Sequence, residues 1–271
     1  VVTPRPRKAR HARHRYRKRH LLRPAFAIDS PAAIRYTGSP SGTDMRDIDL
    51  VIFDCDGVLI DSEVISARML VREMTARGID IDLDYVARHF LGRSYPVVLE
   101  TIQRQFGVDL PATFEADYRT RLLDAFEREL VIMPGVRPVL AALKRPYCLA
   151  TSSSAPRLRQ SLQIVGLTGL FEGRTTTASE VRSGKPAPDL FLRAAEKMRA
   201  EPERTLVIED SANGVAAARA AGMEVWHFIG GSHLKTLSPA IVSGAQADRV
   251  FASFDDFFTL RPELRKPRPT I

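Results

Sequence analysis

From Asp47 onward, short apolar runs alternate with longer amphipathic stretches, and this alternation limits what the chain can fold into. "DLVIFD" (49–54), "YCLAT" (147–151), "TLVIED" (205–210), "MEVWHF" (223–228) and "DRVF" (248–251) are four to six residues long and free of internal Gly or Pro. Runs of that kind read as buried strands. Between the later ones lie "APRLRQSLQIVG" (155–166), "APDLFLRAAEKMRA" (187–200) and "NGVAAARAAG" (213–222), which read as helices. Pro156 and Pro188 suit first-turn positions, and Gly166 and Gly222 suit C-terminal caps. Strand alternating with helix implies an α/β fold whose parallel sheet is covered on both faces.

Residues 62–130 break the rhythm. "EVISARMLVREMTARG", "LDYVARHFLG", "YPVVLETIQRQFG" and "PATFEADYRTRLLDAFEREL" are helical in period and contain no convincing strand. We therefore expect about four helices inserted after the first strand, joined to the core by linkers near Ile60–Glu63 and Val131–Gly135. The expected division is a core of 45–61 and 132–256, a helical cap of 62–131, a C-terminal tail of 257–271 and an N-terminal extension of 1–44.

In an open parallel sheet, ligands collect at the carboxyl ends of the strands. Those ends carry Asp54 and Asp56 after the first run, Thr151 and Ser152 after the second, and Glu209 and Asp210 after the third. Lys185, in "SGKPAPD", precedes the helix that feeds that third run. Carboxylates as close as Asp54 and Asp56 repel unless a cation or a shared proton compensates. A phosphate ligand with Mg²⁺ gives each group a role, because Mg²⁺ takes hard oxygen ligands and offsets the repulsion. One carboxylate can then attack phosphorus, and its neighbour can give a proton to the leaving oxygen. Lys185 and Thr151 would stabilise charge on the equatorial oxygens.

Each motif alone has an ordinary structural reading. A DxD pair before Gly is commonly a turn, "SSS" after a strand commonly provides a helix cap through Ser153 or Ser154, and "ED" can cap a turn. Lys185 before Pro can be a solvated loop lysine. Their conjunction at the same strand ends favours a site. His227 and His233 are expected to be loop residues, and Cys55 a buried spacer.

Charge is unevenly distributed. The net charge is +8, yet residues 1–44 hold eleven Lys/Arg against Asp29 and Asp44, which leaves the remainder at −1. "RPRKARHARHRYRKRHLLR" cannot bury enough surface to order itself. It reads as a basic arm for nucleic acid or acidic lipid, as an organellar transit peptide, or as sequence upstream of a true start at Met45. Tyr16 is its one aromatic, which leaves no set for base stacking. Apolar residues at 44% fit a globular protein with a real core, and no run approaches the ~18 apolar residues of a membrane span. The two cysteines, Cys55 and Cys148, suggest no disulfide framework, which suits a reducing, cytoplasmic setting. A monomer is the default expectation.

The motifs "DCDGVLIDSE", "LATSSS", "GKPAPD" and "VIEDSANGVAAARAAGM" together resemble those of the haloacid dehalogenase superfamily. The resemblance covers about residues 47–256 and implies a Rossmann-like core. The helical insert resembles the cap of the subfamily that holds β-phosphoglucomutase and many sugar-phosphate phosphatases. Within it, the first motif is especially similar to that of bacterial 6-phosphogluconate phosphatases. The resemblance implies that Asp54 is the nucleophile, that Asp56 is the general acid and then base, with its carbonyl on Mg²⁺, and that Asp210 and Glu209 serve the metal. Thr151 and Lys185 take the roles already described, and Ser152 is expected at the substrate. In related caps a loop with Gly and a basic residue faces the aspartates. "HFLGRSYP" is its counterpart, which makes Gly92 and Arg93 candidate substrate contacts, with His89 behind them.

Metal-free dehalogenases of the superfamily lack the second acid, so Asp56 and Glu209–Asp210 argue against that chemistry. β-Phosphoglucomutases carry a His twelve residues after the nucleophile, where this chain has Ser66. The expected function is an Mg²⁺-dependent phosphatase acting on a small phosphorylated sugar or sugar acid. A phosphosugar mutase is the enzymatic alternative, and nucleic-acid binding through the basic arm is the alternative of another class.

Overall fold

The computed structural model describes residues 47–236 and 246–267. The basic stretch and the start at Met45 lie outside the described residues. Six strands form one parallel sheet: β1 (Leu50–Phe53), β2 (Tyr147–Thr151), β3 (Thr175–Thr177), β4 (Thr205–Glu209), β5 (Glu224–Phe228) and β6 (Arg249–Phe251), in the order β3-β2-β1-β4-β5-β6. Val51 pairs with Tyr147 on one side of β1, and Leu50 with Thr205 on the other. The strand alternation separates two apolar layers. Phe53, Leu149, Ile208 and Trp226 face one side, while Ile52, Ala150, Val207 and Val225 face the other. Every one of these is buried, as expected where both faces of a parallel sheet are covered.

The two layers differ in the size of what covers them. Small residues, Ala194 and Ala195 of α8 (Asp189–Met198) with Ala217 and Ala218 of α9 (Ala212–Ala220), bring helices close to one face. Aromatic side chains fill the other, with Phe53 edge-on to Tyr147 at a centroid distance of 6.4 Å and Phe228 4.7 Å from Phe254. Fully burying a side chain such as Phe53 contributes ~2–3 kcal/mol.

Between β1 and α5 (Val136–Ala142) lie α1 (Glu63–Thr75), α2 (Leu83–Phe90), α3 (Tyr95–Phe106) and α4 (Phe114–Glu129). The insert buries its own apolar stripe, including Met74, Ile102, Phe114 and Phe126, and stacks Tyr95 on Tyr118 at 4.7 Å. Its two linkers run antiparallel and are bonded to each other. Asp61 N–H donates to Val131 O at 3.0 Å, and Met133 N–H to Leu59 O at 2.9 Å.

Three features depart from the sequence reading. The edge strand β3 was not expected, and the sheet has six strands rather than five. Residues 257–267, read as tail, continue the fold: α11 (Phe257–Leu260) buries Phe257, and Arg261 and Leu264 are buried after it. Lys144 N–H donates to Leu264 O at 2.8 Å, which fastens this segment to the core. His227 lies within β5, and His233 within the short helix α10 (Ser232–Thr236), both buried, so neither is an open loop residue.

Candidate active site

The strand order reverses direction between β1 and β4, and a crevice opens at such a switch point beyond the carboxyl ends. Asp54 sits there, its N–H donating to Ile208 O at 3.0 Å, so the first acid continues the β1–β4 ladder. The chain then turns sharply through Gly57, whose φ is +80°. A Cβ on Gly57 would fall 1.9 Å from Asp210 Oδ2, so this turn requires glycine both for its φ and for the close approach of the acid.

Lys185 Nζ donates to Asp54 Oδ1 at 2.6 Å and to Glu209 Oε1 at 2.5 Å, and all three side chains are buried. Glu209 Oε2 also accepts the Ser211 N–H at 2.7 Å. Burial opposes the charge on Glu209, but Lys185 and Ser211 outweigh it and hold the carboxyl below its ordinary range. Burial likewise opposes the Lys185 charge, and Asp54 with Glu209 overcomes it, so the ammonium is held more firmly than in water. Asp54 and Asp210 go the other way. Burial pushes both well up, with Glu209 adding to each and Lys185 only partly opposing.

Asp56 is gripped by donors. Ser62 Oγ donates to Oδ1 at 2.6 Å, Ser153 Oγ to Oδ2 at 2.6 Å, and Arg157 Nη2 to Oδ1 at 2.8 Å. Burial resists the charge, but Arg157 and the two serines keep the carboxyl below the usual range. Of the two serines the sequence offered as a helix cap, Ser153 is turned to Asp56, and Ser154 stands at the N-cap of α6 (Ala155–Ile164) without a capping side-chain bond. Thr151 Oγ1 lies 3.5 Å from Asp56 Oδ2 and accepts the Ser153 N–H at 3.0 Å.

Asp54, Glu209 and Asp210 each offer a buried carboxylate oxygen, and these oxygens lie within 4.8 Å of one another. An all-oxygen set, two of whose members burial pushes toward the neutral form, fits a hard divalent cation, which would draw them back to the ionised form. His233 Nε2 lies 2.9 Å from Asp210 Oδ2, and His227 Nε2 lies 2.8 Å from Asp210 O. His227 thus bonds the Asp210 backbone and His233 packs beside its carboxylate, placements the sequence did not signal.

The insert closes over these groups and encloses a cavity of about 380 Å³, lined by Asp54, Asp56, Ser152 and Lys185 from the sheet side and by Arg93 and Tyr118 from the insert. Ser152 and Gly92, both expected at a substrate, meet each other: Ser152 Oγ donates to Gly92 O at 3.1 Å. A Cβ on Gly92 would fall 2.5 Å from Ser211 Oγ, so only glycine lets this loop dock. Asn213 Nδ2 donates to Leu91 O at 3.3 Å beside it. Arg93 is exposed at the cavity rim, while the His89 ring lies tilted against Tyr85 at a centroid distance of 4.4 Å. Sequence reasoning missed Arg157, which enters the cavity from the first turn of α6.

Glu63 keeps part of its surface open to the cavity yet lies deep among protein atoms, and burial with Asp56 and Asp210 raises its pKa from 4.5 to about 7. A raised acid stabilises the fold fully below its unfolded pKa, and that contribution is lost as pH rises through the folded value. Metal-free protein should therefore lose stability between pH 4.5 and about 7, by a few kcal/mol at most. Asp56 and Glu209, held low, act below this window and do not offset it, while Asp54 and Asp210, pushed up, add to the loss, so Glu63 accounts for a share of the slope. Urea midpoints measured across the range should flatten in part in Glu63→Gln, and an unchanged slope would remove Glu63 as a cause.

A parallel sheet with this set of acids, hydroxyl and lysine at one edge, under a helical cover, defines a class of capped α/β phosphatases. Residues 48–222 match the family described as haloacid dehalogenase-like hydrolase, and the chain belongs to that family. It is 30% identical over 195 residues to the 6-phosphogluconate phosphatase of Escherichia coli (strain K12), covering 71% of this chain and 88% of that one. It is also 30% identical over 182 residues to hexitol phosphatase B of the same organism, covering 66% and 82%. A conserved haloacid dehalogenase-like protein of unknown function from Agrobacterium tumefaciens str. C58 superposes with a TM-score of 0.67 at 33% identity, over 80% of this chain and 98% of that one. Among the described residues, no helix is long and apolar enough to cross a membrane.

Proposed function

We propose that the chain is an Mg²⁺-dependent phosphatase that hydrolyses a small phosphorylated sugar or sugar acid through a phospho-enzyme on Asp54. The observation that carries this reading is the placement of Asp54: bonded to Lys185, beside Glu209 and Asp210, and facing the same cavity as Asp56 two residues on. Both named Escherichia coli relatives are phosphatases of small phosphorylated metabolites, which supports the substrate class.

In the first half-reaction an Asp54 oxygen bonds to phosphorus, the ester P–O bond breaks, and the leaving oxygen takes a proton from Asp56, which the ligand-free site holds ionised and which must therefore take up that proton as substrate binds. In the second, Asp56 removes a proton from water, the water oxygen bonds to phosphorus, and the Asp54–phosphorus bond breaks to release phosphate. Lys185 holds Asp54 in line and, with Thr151, supplies donors to the transferring group. Asp54, Asp210 and the Asp56 carbonyl would hold Mg²⁺, with Glu209 as a further ligand or as a support for metal-bound water. When bound, the ion supplies positive charge against the phosphate oxygens. Residues 62–131 act as the cap, which shuts out bulk water and adds specificity contacts through Gly92, Arg93 and Ser152. Ser66, in place of a mutase histidine, favours hydrolysis. Buried, unpaired Cys55 and Cys148 suit a reducing, cytoplasmic setting, and we take the enzyme to act as a monomer.

Phosphate release from a panel of sugar, sugar-acid and glycolate phosphates tests the reading. Release with Mg²⁺ and its loss in EDTA are expected, by at least about 100-fold. Folded protein that releases no phosphate from any compound would overturn the proposal. Isomerised product dependent on a bisphosphate would replace it with the mutase.

A further inference from the structure

We propose that Arg157 reads a carboxylate on the leaving group, so that this enzyme selects phosphorylated sugar acids over phosphorylated sugars and polyols that lack an acid. The inference rests on the phosphatase reading and narrows its substrate.

Position comes first. The group that protonates the leaving oxygen necessarily touches the leaving group, and Arg157 Nη2 is 2.8 Å from that group, Asp56. Lys185 is committed to the other end, between Asp54 and Glu209, where the phosphate belongs. Of the four cations that line the cavity, Lys185 thus serves the phosphate and Arg157 stands one contact farther along, where the organic part of the ester must lie; Arg119 lies 3.7 Å from Glu115, and Arg93 is at the rim.

The chemistry of the guanidinium agrees. Arg157 lies over the Phe126 ring at 5.3 Å and donates to Ser66 Oγ at 3.2 Å, and only 18% of its side chain is exposed. Its plane is thus fixed before a ligand arrives. Nε, on the same edge as Nη2, is buried and makes no hydrogen bond, so Asp56 engages that edge through one N–H only. A carboxylate in its place would accept from both N–H groups, the paired geometry for which arginine is suited. Asp56 would keep Ser62 and Ser153 as donors when Arg157 turns to the substrate. Arg93, exposed at the rim, is screened by solvent and reads a charge less sharply than a group within the cavity.

Overall similarity does not decide the matter. The chain is equally identical, at 30%, to a 6-phosphogluconate phosphatase and to a hexitol phosphatase, whose named substrates differ in carrying an acid.

The test uses the full chain with Mg²⁺ and two esters of equal carbon number, 6-phosphogluconate and glucitol 6-phosphate. The ratio of their kcat/KM values is the readout, because damage common to both substrates cancels from it. The unaltered enzyme should favour the acid by about tenfold to a hundredfold, the range of one hydrogen-bonded charge pair. Arg157→Gln should reduce the ratio toward one, chiefly through a higher KM for the acid, and Arg157→Lys should retain part of it. Equal rates on both esters in the unaltered enzyme, or a ratio unmoved by Arg157→Gln, would overturn the inference and leave the phosphatase standing. Absence of phosphate release from every ester would overturn both.

Discussion

Replacing Asp54 with Asn is expected to lower phosphate release by about 10⁴-fold or more while leaving the fold intact. The substitution preserves volume, so the β1–β4 ladder and the packing around it need not change. It removes the oxygen we propose as nucleophile, which no neighbour is placed to supply: Glu209 is bound to Lys185 and Ser211, and Asp56 is held by Ser62, Ser153 and Arg157. Stability should respond differently from activity. Burial and the charges of Glu209, Asp210 and Asp56 already push Asp54 toward its neutral form, so a neutral side chain relieves a crowded site. In EDTA the variant should melt at or above the temperature of the unaltered protein. A residual rate within tenfold would show that Asp54 is not the nucleophile, and a lower melting temperature would show that its charge helps hold the fold.

Lys185→Met should produce the largest loss of stability. The lysine is the cation within hydrogen-bond reach of both Asp54 and Glu209, at 2.6 and 2.5 Å, and all three side chains are buried. Removing one member of a buried, hydrogen-bonded charge pair typically costs ~3–5 kcal/mol, because the remaining charge is left without compensation. Methionine keeps most of the volume and the contact with Phe191, so the cost isolates the charge. Urea unfolding without metal measures it. Saturating Mg²⁺ should return part of the loss, since a cation that binds only the folded state stabilises it by mass action. A loss below about 1 kcal/mol would mean that the carboxylates compensate one another through shared protons instead. Activity should fall as well, with Mg²⁺ failing to restore it.

Four of the five strands legible in the sequence lie inside the sheet, where burial on both faces forces a continuous apolar run; the fifth, β6, is a half-buried edge strand that its Val250–Phe251 pair marked. Thr175–Thr177 carried no such run. It is an edge strand of three threonines, ordered by pairing with β2, through Leu149 N–H to Arg174 O at 2.9 Å for example. Its existence depends on a neighbour rather than on its own composition. The helices of the insert were legible because each has to turn an apolar stripe inward. Phe257 and Leu264 were read as tail residues because a single buried side chain every few positions leaves no periodicity.

The candidate site divides along similar lines. Asp54, Asp56, Thr151, Lys185, Glu209 and Asp210 all lie at or beside strand ends, so chain order and topology bring them together. Arg157, Ser62 and His233 come to the site from helix turns and a linker, where nothing local marks them. "SSSAPRLRQ" offers Arg157 and Arg159 two positions apart, and only the packed structure shows that Arg157 turns to Asp56. Gly92 could be suspected from its neighbours, but its reason, the approach to Ser211, is a matter of tertiary contact.

The bonded linkers, Asp61 to Val131 and Met133 to Leu59, have a consequence for how such an enzyme can change over evolutionary time. The chain leaves the sheet and returns to it at neighbouring points, so to the rest of the molecule the whole insert is one excursion from a closed neck. Any replacement whose ends meet at that neck leaves the ladder, the acids and Lys185 where they are. New leaving groups can then be recruited by exchanging or remodelling the excursion while the chemistry is inherited unchanged. Arg157 stands on the inherited side of that boundary, so a preference it imposes would survive such an exchange.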